Sequence, residues 1–222
     1  MSHLPFNQQL LNACAALMLL LSFAMLAQRR IVSLVNLFAV QGAVLAATTL
    51  LLAWRTGAGH LYFSAVLTLA LKVAFLPWLL HRLIRRLGVY WDTEPLLHIS
   101  GTMLAGILIV VFSFGLAEPI AHLASTSMRN AIGIAVAVVL LAFLMMITRR
   151  KAMSQVLGFL SMENGLFFGA MSATYGMPMI VELGVALDVL VAVLVLGIFF
   201  FQIREQFDSL DLHHLERLSE HQ

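Results

Sequence analysis

The fold is decided by residues 149–203, which read RRKAMSQVLGFLSMENGLFFGAMSATYGMPMIVELGVALDVLVAVLVLGIFFFQI. Two long apolar segments in this stretch are joined by a short turn before Pro178, and each carries an acidic residue near its middle, Glu163 and Asp188. A carboxylate at the centre of a bilayer costs about 2.5–3.5 kcal/mol on insertion scales, so it needs a partner, a proton or water. These two residues are therefore the first candidates for a functional site.

The composition of the whole chain is that of a membrane protein. Of its 222 residues, 61% are hydrophobic and only 11% are charged, whereas soluble domains contain about 25% charged residues. The apolar runs are long and unbroken, which excludes the alternating pattern of a transmembrane barrel. Since a spanning helix needs about 20 apolar residues, the sequence predicts an all-α integral membrane protein with seven transmembrane helices at residues 9–27, 31–54, 60–83, 98–117, 130–148, 153–174 and 178–202.

The basic residues indicate how the chain is oriented. In an alternating topology of seven spans, one side receives Arg29, Arg30, Arg82, Arg85, Arg86, Arg149, Arg150, Lys151, Arg204 and Arg217. The other side receives Arg55 and Arg129. Because positively charged loops stay in the cytoplasm, we expect the N-terminus outside and the C-terminal tail, residues 204–222, in the cytoplasm. The net charge of +2 thus reflects membrane topology, and no nucleic acid partner is predicted.

Two further polar residues lie inside predicted spans, Lys72 in the third and Gln41 in the second. Pro77 follows Lys72 and frees the carbonyl group of Val73, which predicts a kink beside the lysine. Lys72 either belongs to a structural ion pair or handles protons, since an intramembrane lysine needs a partner in both cases. Gln41 either makes one interhelical hydrogen bond or faces a polar path.

No cofactor is predicted. A single cysteine, Cys14, cannot form an iron–sulfur site alone, because clusters need about four ligands. His81 and His98 would bracket a haem only if the two imidazoles faced each other at one depth. No quinone, flavin or metal motif is visible, so any electron transfer belongs to partner proteins.

The chain contains signs of an internal duplication. Ala70-Leu71-Lys72-Val73 and Ala186-Leu187-Asp188-Val189 share three of four residues, and a basic pair ends both the first and the fifth predicted span. We therefore predict two parallel three-helix repeats, residues 1–87 and 130–203, joined by a linker with the fourth helix at 88–129. Lys72 and Asp188 would then lie at one depth. They would pair directly or join one polar chain with Glu163, and we favour the chain.

These residues also carry a family resemblance. Arg149-Arg150, Glu163 and Ala186-Leu187-Asp188 resemble the small 4L-type membrane subunit of respiratory complex I, over residues 130–222. The whole chain, with Met162-Glu163-Asn164-Gly165, Val181-Glu182-Leu183-Gly184 and Ala74-Phe75-Leu76-Pro77, is similar to component E of hydrogenase-4 and related formate hydrogenlyases. The chain departs from the 4L pattern at Gln41 and Lys72, where that pattern has carboxylates, and at Asp188, where it has glutamate.

The resemblance implies a multi-pass subunit of the bacterial inner membrane with no redox centre of its own. Its partners would be antiporter-like membrane subunits, a peripheral redox arm and the lipid bilayer. Glu163, Asp188, Lys72 and Gln41 would contribute to a proton or ion path coupled to redox chemistry in those partners.

Other functions stay open at this point. The chain is alternatively a purely structural subunit whose buried charges fix helix register, or the small subunit of a cation/proton antiporter complex. A self-sufficient carrier is disfavoured, because the two repeats lack the matched broken helices that substrate sites use.

Overall fold

The computed structural model describes residues 6–87, 99–118 and 126–174, together with the helical positions Gly184, Leu190, Val193 and Gly197. The chain forms two compact units, residues 1–187 and 188–222. Everything described below concerns the first unit. The seventh predicted span, residues 178–202, and Asp188 within it lie outside the described ranges apart from those isolated positions.

The described ranges contain helices and no strand. The helices are α1 (Phe6–Ala27), α2 (Ile31–Thr56), α3 (Gly59–Thr68), a π-helix (Leu69–Phe75), α4 (Leu76–Leu87), α5 (Ile99–Ala117), α6 (Thr126–Thr148) and α7 (Ala152–Thr174). α3, the π-helix and α4 follow one another without a break, so six helical segments are long and apolar enough to cross a membrane. The all-α class and the first six predicted spans are thereby confirmed.

The third span is irregular in the turns before Pro77. Residues Leu69–Phe75, which include Val73, form a π-helix, whose hydrogen bonds run from residue i to residue i+5. The helix then returns to α geometry at Leu76, immediately before Pro77. The irregular turn therefore contains Lys72 itself and carries this side chain on the buried face of the span.

α6 and α7 form a closely packed hairpin because α7 presents glycines to its neighbour. A Cβ atom added at Gly158 would lie 2.7 Å from Met146, and one added at Gly165 would lie 2.8 Å from Val138. α7 also packs on α2, and α6 packs on α1. α2 contacts α3 and the π-helix on its other side. α2 thus lies between Lys72 and the middle of α7.

Arg149 ties the two basic turns of the bundle together. Its Nη2 atom donates hydrogen bonds to the carbonyl oxygen of Leu26 at 2.9 Å and to that of Gln28 at 2.6 Å. A cation at these carbonyls also interacts favourably with the C-terminal dipole of α1. The sequence predicted only that Arg149 lies on the cytoplasmic side, and the structure shows in addition that the residue is buried, with 5% of its surface exposed.

This contact defines the two ends of the bundle. The basic end is where α1 and α6 end and where α2 and α7 begin, around residues 27–31 and 148–152. The opposite end, called the Gly57 end, is where α2 ends and α3 begins. Gly57 adopts a left-handed conformation with φ 67°, which a residue without a Cβ atom tolerates, and its N–H group bonds the carbonyl of Ala53 at 2.9 Å. α3 therefore starts at the Gly57 end, and α7 starts at the basic end.

The outer surface of the bundle is apolar. Large apolar side chains of α5, among them Leu104, Leu108 and Val111, are more than half exposed. A contiguous apolar surface of this kind is incompatible with water and suits lipid or other membrane subunits. The fold is that of a multi-pass membrane protein.

Candidate functional site

The π-helix places Lys72 deep inside the bundle, where only 1% of its surface is exposed. The close approach to α2 depends on Gly42, because a Cβ atom at this position would lie 2.9 Å from the Cβ atom of Lys72. The aliphatic part of the lysine therefore passes directly over the backbone of α2. Its ammonium group continues to the middle of α7.

The ammonium group of Lys72 forms an ion pair with Glu163. The Nζ atom lies 3.0 Å from the Oε1 atom of the carboxylate, and both side chains are 1% exposed. Nζ also lies 5.8 Å from the centroid of the Phe167 ring, within the range of a cation–π contact. Glu163 thus faces the interior, as the cost of a lipid-facing carboxylate predicted, and a cation compensates its charge.

Two amides and one hydroxyl extend the ion pair across α7 and α2 to α1. Lys72 Nζ donates a second hydrogen bond to Asn164 Oδ1 at 2.8 Å, and Asn164 Nδ2 donates to Gln41 Oε1 at 3.1 Å. Gln41 Nε2 then donates to Ser22 Oγ at 3.1 Å, and this hydroxyl donates to the carbonyl oxygen of Met18 at 2.9 Å. All these bonds are buried, and each amide uses both its oxygen and its nitrogen. The five side chains, Ser22, Gln41, Lys72, Glu163 and Asn164, are called the polar cluster below.

The members of the polar cluster differ in what they can do chemically. Lys72 and Glu163 gain or lose protons, whereas the amides of Gln41 and Asn164 are fixed donors and acceptors with no titratable group. Any proton exchange within the cluster therefore takes place between the lysine and the glutamate. The amides hold the ammonium group in place.

The described part of the chain contains no cluster of three or more His, Cys, Asp or Glu side chains suited to a metal ion. His81, one of the two histidines considered for a haem, has its Nδ1 atom 2.7 Å from the carbonyl oxygen of Pro77. His98 lies outside the described ranges.

The structure brings together three of the four residues predicted for the ion path, Lys72, Glu163 and Gln41. The fourth, Asp188, lies outside the described residues, so its predicted relation to Lys72 stays a prediction. For Gln41, the structure has two interhelical hydrogen bonds in place of the single bond that one interpretation predicted.

Sequence reasoning missed Asn164 and Ser22. Asn164 directly follows Glu163 in the middle of a predicted span, and an amide beside a buried carboxylate was the available signal. Ser22 gave no such signal, because a serine in a membrane helix commonly bonds only its own backbone.

The similarity of this chain to known proteins extends over nearly its whole length. The chain is 36% identical over 210 residues to the uncharacterized protein Rv0085 of Mycobacterium tuberculosis, a match that covers 94% of this chain and 96% of that protein. It is 24% identical over 212 residues to hydrogenase-4 component E of Escherichia coli, covering 96% of this chain and 98% of the relative. Hydrogenase-4 component E of Shigella flexneri matches with the same identity and coverage.

No protein-family profile matches the chain, and no solved structure matches it. The full-length similarity to the mycobacterial protein is nevertheless high enough to establish common descent. The chain belongs to the family that includes Rv0085, and hydrogenase-4 component E is its distant full-length relative.

Proposed function

We propose that this chain is a non-redox membrane subunit of a membrane-bound hydrogenase complex of the hydrogenase-4 or formate hydrogenlyase type. In this proposal the Lys72–Glu163 pair is a proton-exchanging element of an ion translocation path. The path is coupled to redox chemistry in partner subunits. The relation to a hydrogenase component supports the assignment to such a complex. The single observation that supports the role in translocation is the ion pair buried at the centre of the bundle.

The physical basis of the role is the balance of two opposing effects on the pair. Burial favours the neutral form of an ionisable group, while a nearby opposite charge favours the charged form. The pair therefore has two states, an ammonium with a carboxylate and an amine with a carboxylic acid, which differ by one proton moved between Lys72 and Glu163. A conformational change that alters their separation would change which state is favoured. A proton could then be passed on.

We include Asp188 in the proposed path because of its position in the sequence, within the predicted seventh span. It is the second intramembrane carboxylate of the chain, and the predicted repeat gives it the depth of Lys72. We propose that it continues the path from the polar cluster toward neighbouring subunits. The inner membrane of a bacterium is the proposed location. Antiporter-like subunits and a peripheral redox arm are the proposed partners.

The second candidate function is structural. The polar cluster links α1, α2, the π-helix and α7 through hydrogen bonds, and a buried polar group of this kind can fix the register of helices. A scaffold of this type needs the geometry of the cluster but no proton exchange.

Replacement of Glu163 by glutamine in the intact complex separates the two functions. The amide can still accept a hydrogen bond from Lys72, but the buried ammonium group loses this carboxylate, so translocation should fall further than assembly does and is measured per assembled complex that still turns over. Proton uptake into inverted membrane vesicles, followed with a pH-sensitive dye during turnover, should fall by about tenfold or more, as for loss of a proton-transferring group.

The matched control is Glu118→Gln, since Glu118 is an exposed carboxylate at the end of α5. This variant should translocate protons like the unmodified complex. Full translocation in the assembled Glu163→Gln complex would contradict the proposed path and favour the structural function.

A further inference from the structure

Three buried serines differ from seven other serines and threonines of the helices. In a membrane helix, a serine or threonine usually satisfies its hydroxyl by donating to the carbonyl four residues earlier. Such bonds are made here by Ser22, Thr48, Thr49, Thr56, Ser113, Thr148 and Thr174. The hydroxyls of Ser64, Ser154 and Ser161 find no hydrogen-bond partner within the described ranges.

These three side chains are fully enclosed by protein. Ser64 and Ser154 have no exposed surface, and Ser161 has 1%. A buried polar group without a partner is unfavourable and therefore calls for an explanation, of which a water molecule is the commonest. Buried waters occupy such sites in proteins, and they bind where several polar groups are within reach.

Ser64 lies on a polar line that leads from the Gly57 end to the ion pair. Ser64, Thr68 and Lys72 occupy positions i, i+4 and i+8 along the span, and all three side chains are buried on one face. Ser64 is near the start of α3, Thr68 lies about 6 Å further along α3 at 1.5 Å per residue, and Lys72 follows within the π-helix. The line is thus polar from the first turns of the helix to the centre of the bundle.

Ser154 and Ser161 lie on a second line that leads from the basic end to the same cluster. They are seven positions apart on α7 and therefore share one face, with the buried Leu157 between them, and Asn164 follows Ser161 at i+3. Ser154 is in the first turn of α7, and Asn164 lies about 15 Å further along the axis. Since Asn164 accepts a hydrogen bond from Lys72, this line also ends at the ammonium group.

The two lines approach the ion pair from opposite ends of the bundle. α3 begins at the Gly57 end and α7 at the basic end, which the contact of Arg149 with Leu26 and Gln28 fixes. We infer that water enters the bundle along both lines, so that this chain alone contains a hydrated route from each membrane face to Lys72. The inference rests on the proposed function and deepens it, because it makes the path perpendicular to the membrane and complete within one subunit.

The route can be tested by the reactivity of cysteines placed on it. Cys14 is the only cysteine of the chain, so a Cys14→Ala background leaves a single thiol in each variant. Ser64→Cys and Ser161→Cys are small changes on the two lines. The controls Ala65→Cys and Leu160→Cys lie one position away on the same helices, where the side chains are also buried. The probe is a small, charged, membrane-impermeant methanethiosulfonate, added to sealed vesicles of both orientations that contain the full complex.

We expect Ser64→Cys to react from the Gly57 end, and Ser161→Cys from the basic end. Each should react about tenfold faster than its control, because a thiol in a dry apolar site forms little of the reactive thiolate. Equal rates for the serine positions and their controls would overturn the inference, and so would reaction on one line only.

The labelling result is independent of translocation. If Ser64→Cys and Ser161→Cys label as expected while Glu163→Gln still translocates protons, the hydrated route exists and the proposed function is wrong. If they do not label while Glu163→Gln abolishes translocation, the proposed function stands and its path runs elsewhere.

Discussion

Replacing Lys72 by methionine should destabilise the bundle strongly, and a second replacement at Glu163 should reverse much of the loss. Methionine has nearly the length of lysine, so it fills the same space between α2 and α7. The change removes the cation and, among its contacts, the hydrogen bonds to Glu163 and Asn164. The carboxylate of Glu163 then remains buried without the ammonium group that lies 3.0 Å away in the structure.

The size of the effect follows from these two contacts. Removing one partner of a buried ion pair costs about 3–5 kcal/mol, because the remaining charge stays in low dielectric. The lost bond to Asn164 adds about 1 kcal/mol. In the double variant Lys72→Met/Glu163→Gln the charge of the Glu163 carboxylate is removed together with its cation, so about 2–4 kcal/mol of stability should return. The double variant is therefore expected to be more stable than Lys72→Met alone.

The assay is the free energy of unfolding in mixed detergent micelles, measured by titration with a denaturing detergent. Arg86→Met serves as the control, since Arg86 is an exposed cation in the last turn of α4, and should change stability by no more than about 0.5 kcal/mol. A loss in Lys72→Met as small as in this control would refute the reasoning. A double variant no more stable than the single one would also refute it.

Three further variants test other contacts. Asn164→Leu should cost about 2–4 kcal/mol in the same assay, because the buried Oε1 atom of Gln41 loses its donor and Lys72 loses one of its acceptors; an unchanged unfolding free energy would exclude the hydrogen-bonded chain. Gly42→Ala should cost about 1–3 kcal/mol by pushing the new methyl group against Lys72, whereas Gly115→Ala, with no atom within 4 Å of the added Cβ, should not destabilise the bundle. Arg149→Leu should lower the midpoint of thermal unfolding, since two carbonyls at the end of α1 lose their donor; no shift would show that the contact does not stabilise the basic end.

The sequence predicted those parts of the fold that depend on local composition. A run of apolar residues long enough to cross a bilayer is visible without knowledge of its neighbours, so the first six spans were placed to within a few residues of the helices. Lys72, Glu163 and Gln41 were recognised because a polar group in an apolar segment is costly wherever it faces. These predictions needed no knowledge of tertiary structure.

The pairings within the polar cluster depend on which helices are neighbours. The local pattern of residues along the sequence does not show which helices these are. Lys72 and Glu163 are in different halves of the chain, and only the packing of α2 between the π-helix and α7 brings them together. Arg149 shows the same limit. Its charge at the end of a span predicted the side of the membrane on which it lies, whereas its buried contact with α1 depends on the packing of α6 against α1. The seventh span and Asp188 remain predictions.

The π-helix has a consequence for how sequences of this family are compared. A turn bonded from i to i+5 contains one residue more than the α-helical turn that would otherwise occupy the same place. Losing a single residue between Leu69 and Phe75 would restore a regular α-helix and rotate one side of the segment relative to the other by about 100°. The lysine would then leave the face that points to Glu163. Within this segment, a one-residue gap in an alignment therefore indicates a larger structural difference between two proteins than many substitutions do. This holds even where both proteins have a lysine in the same column.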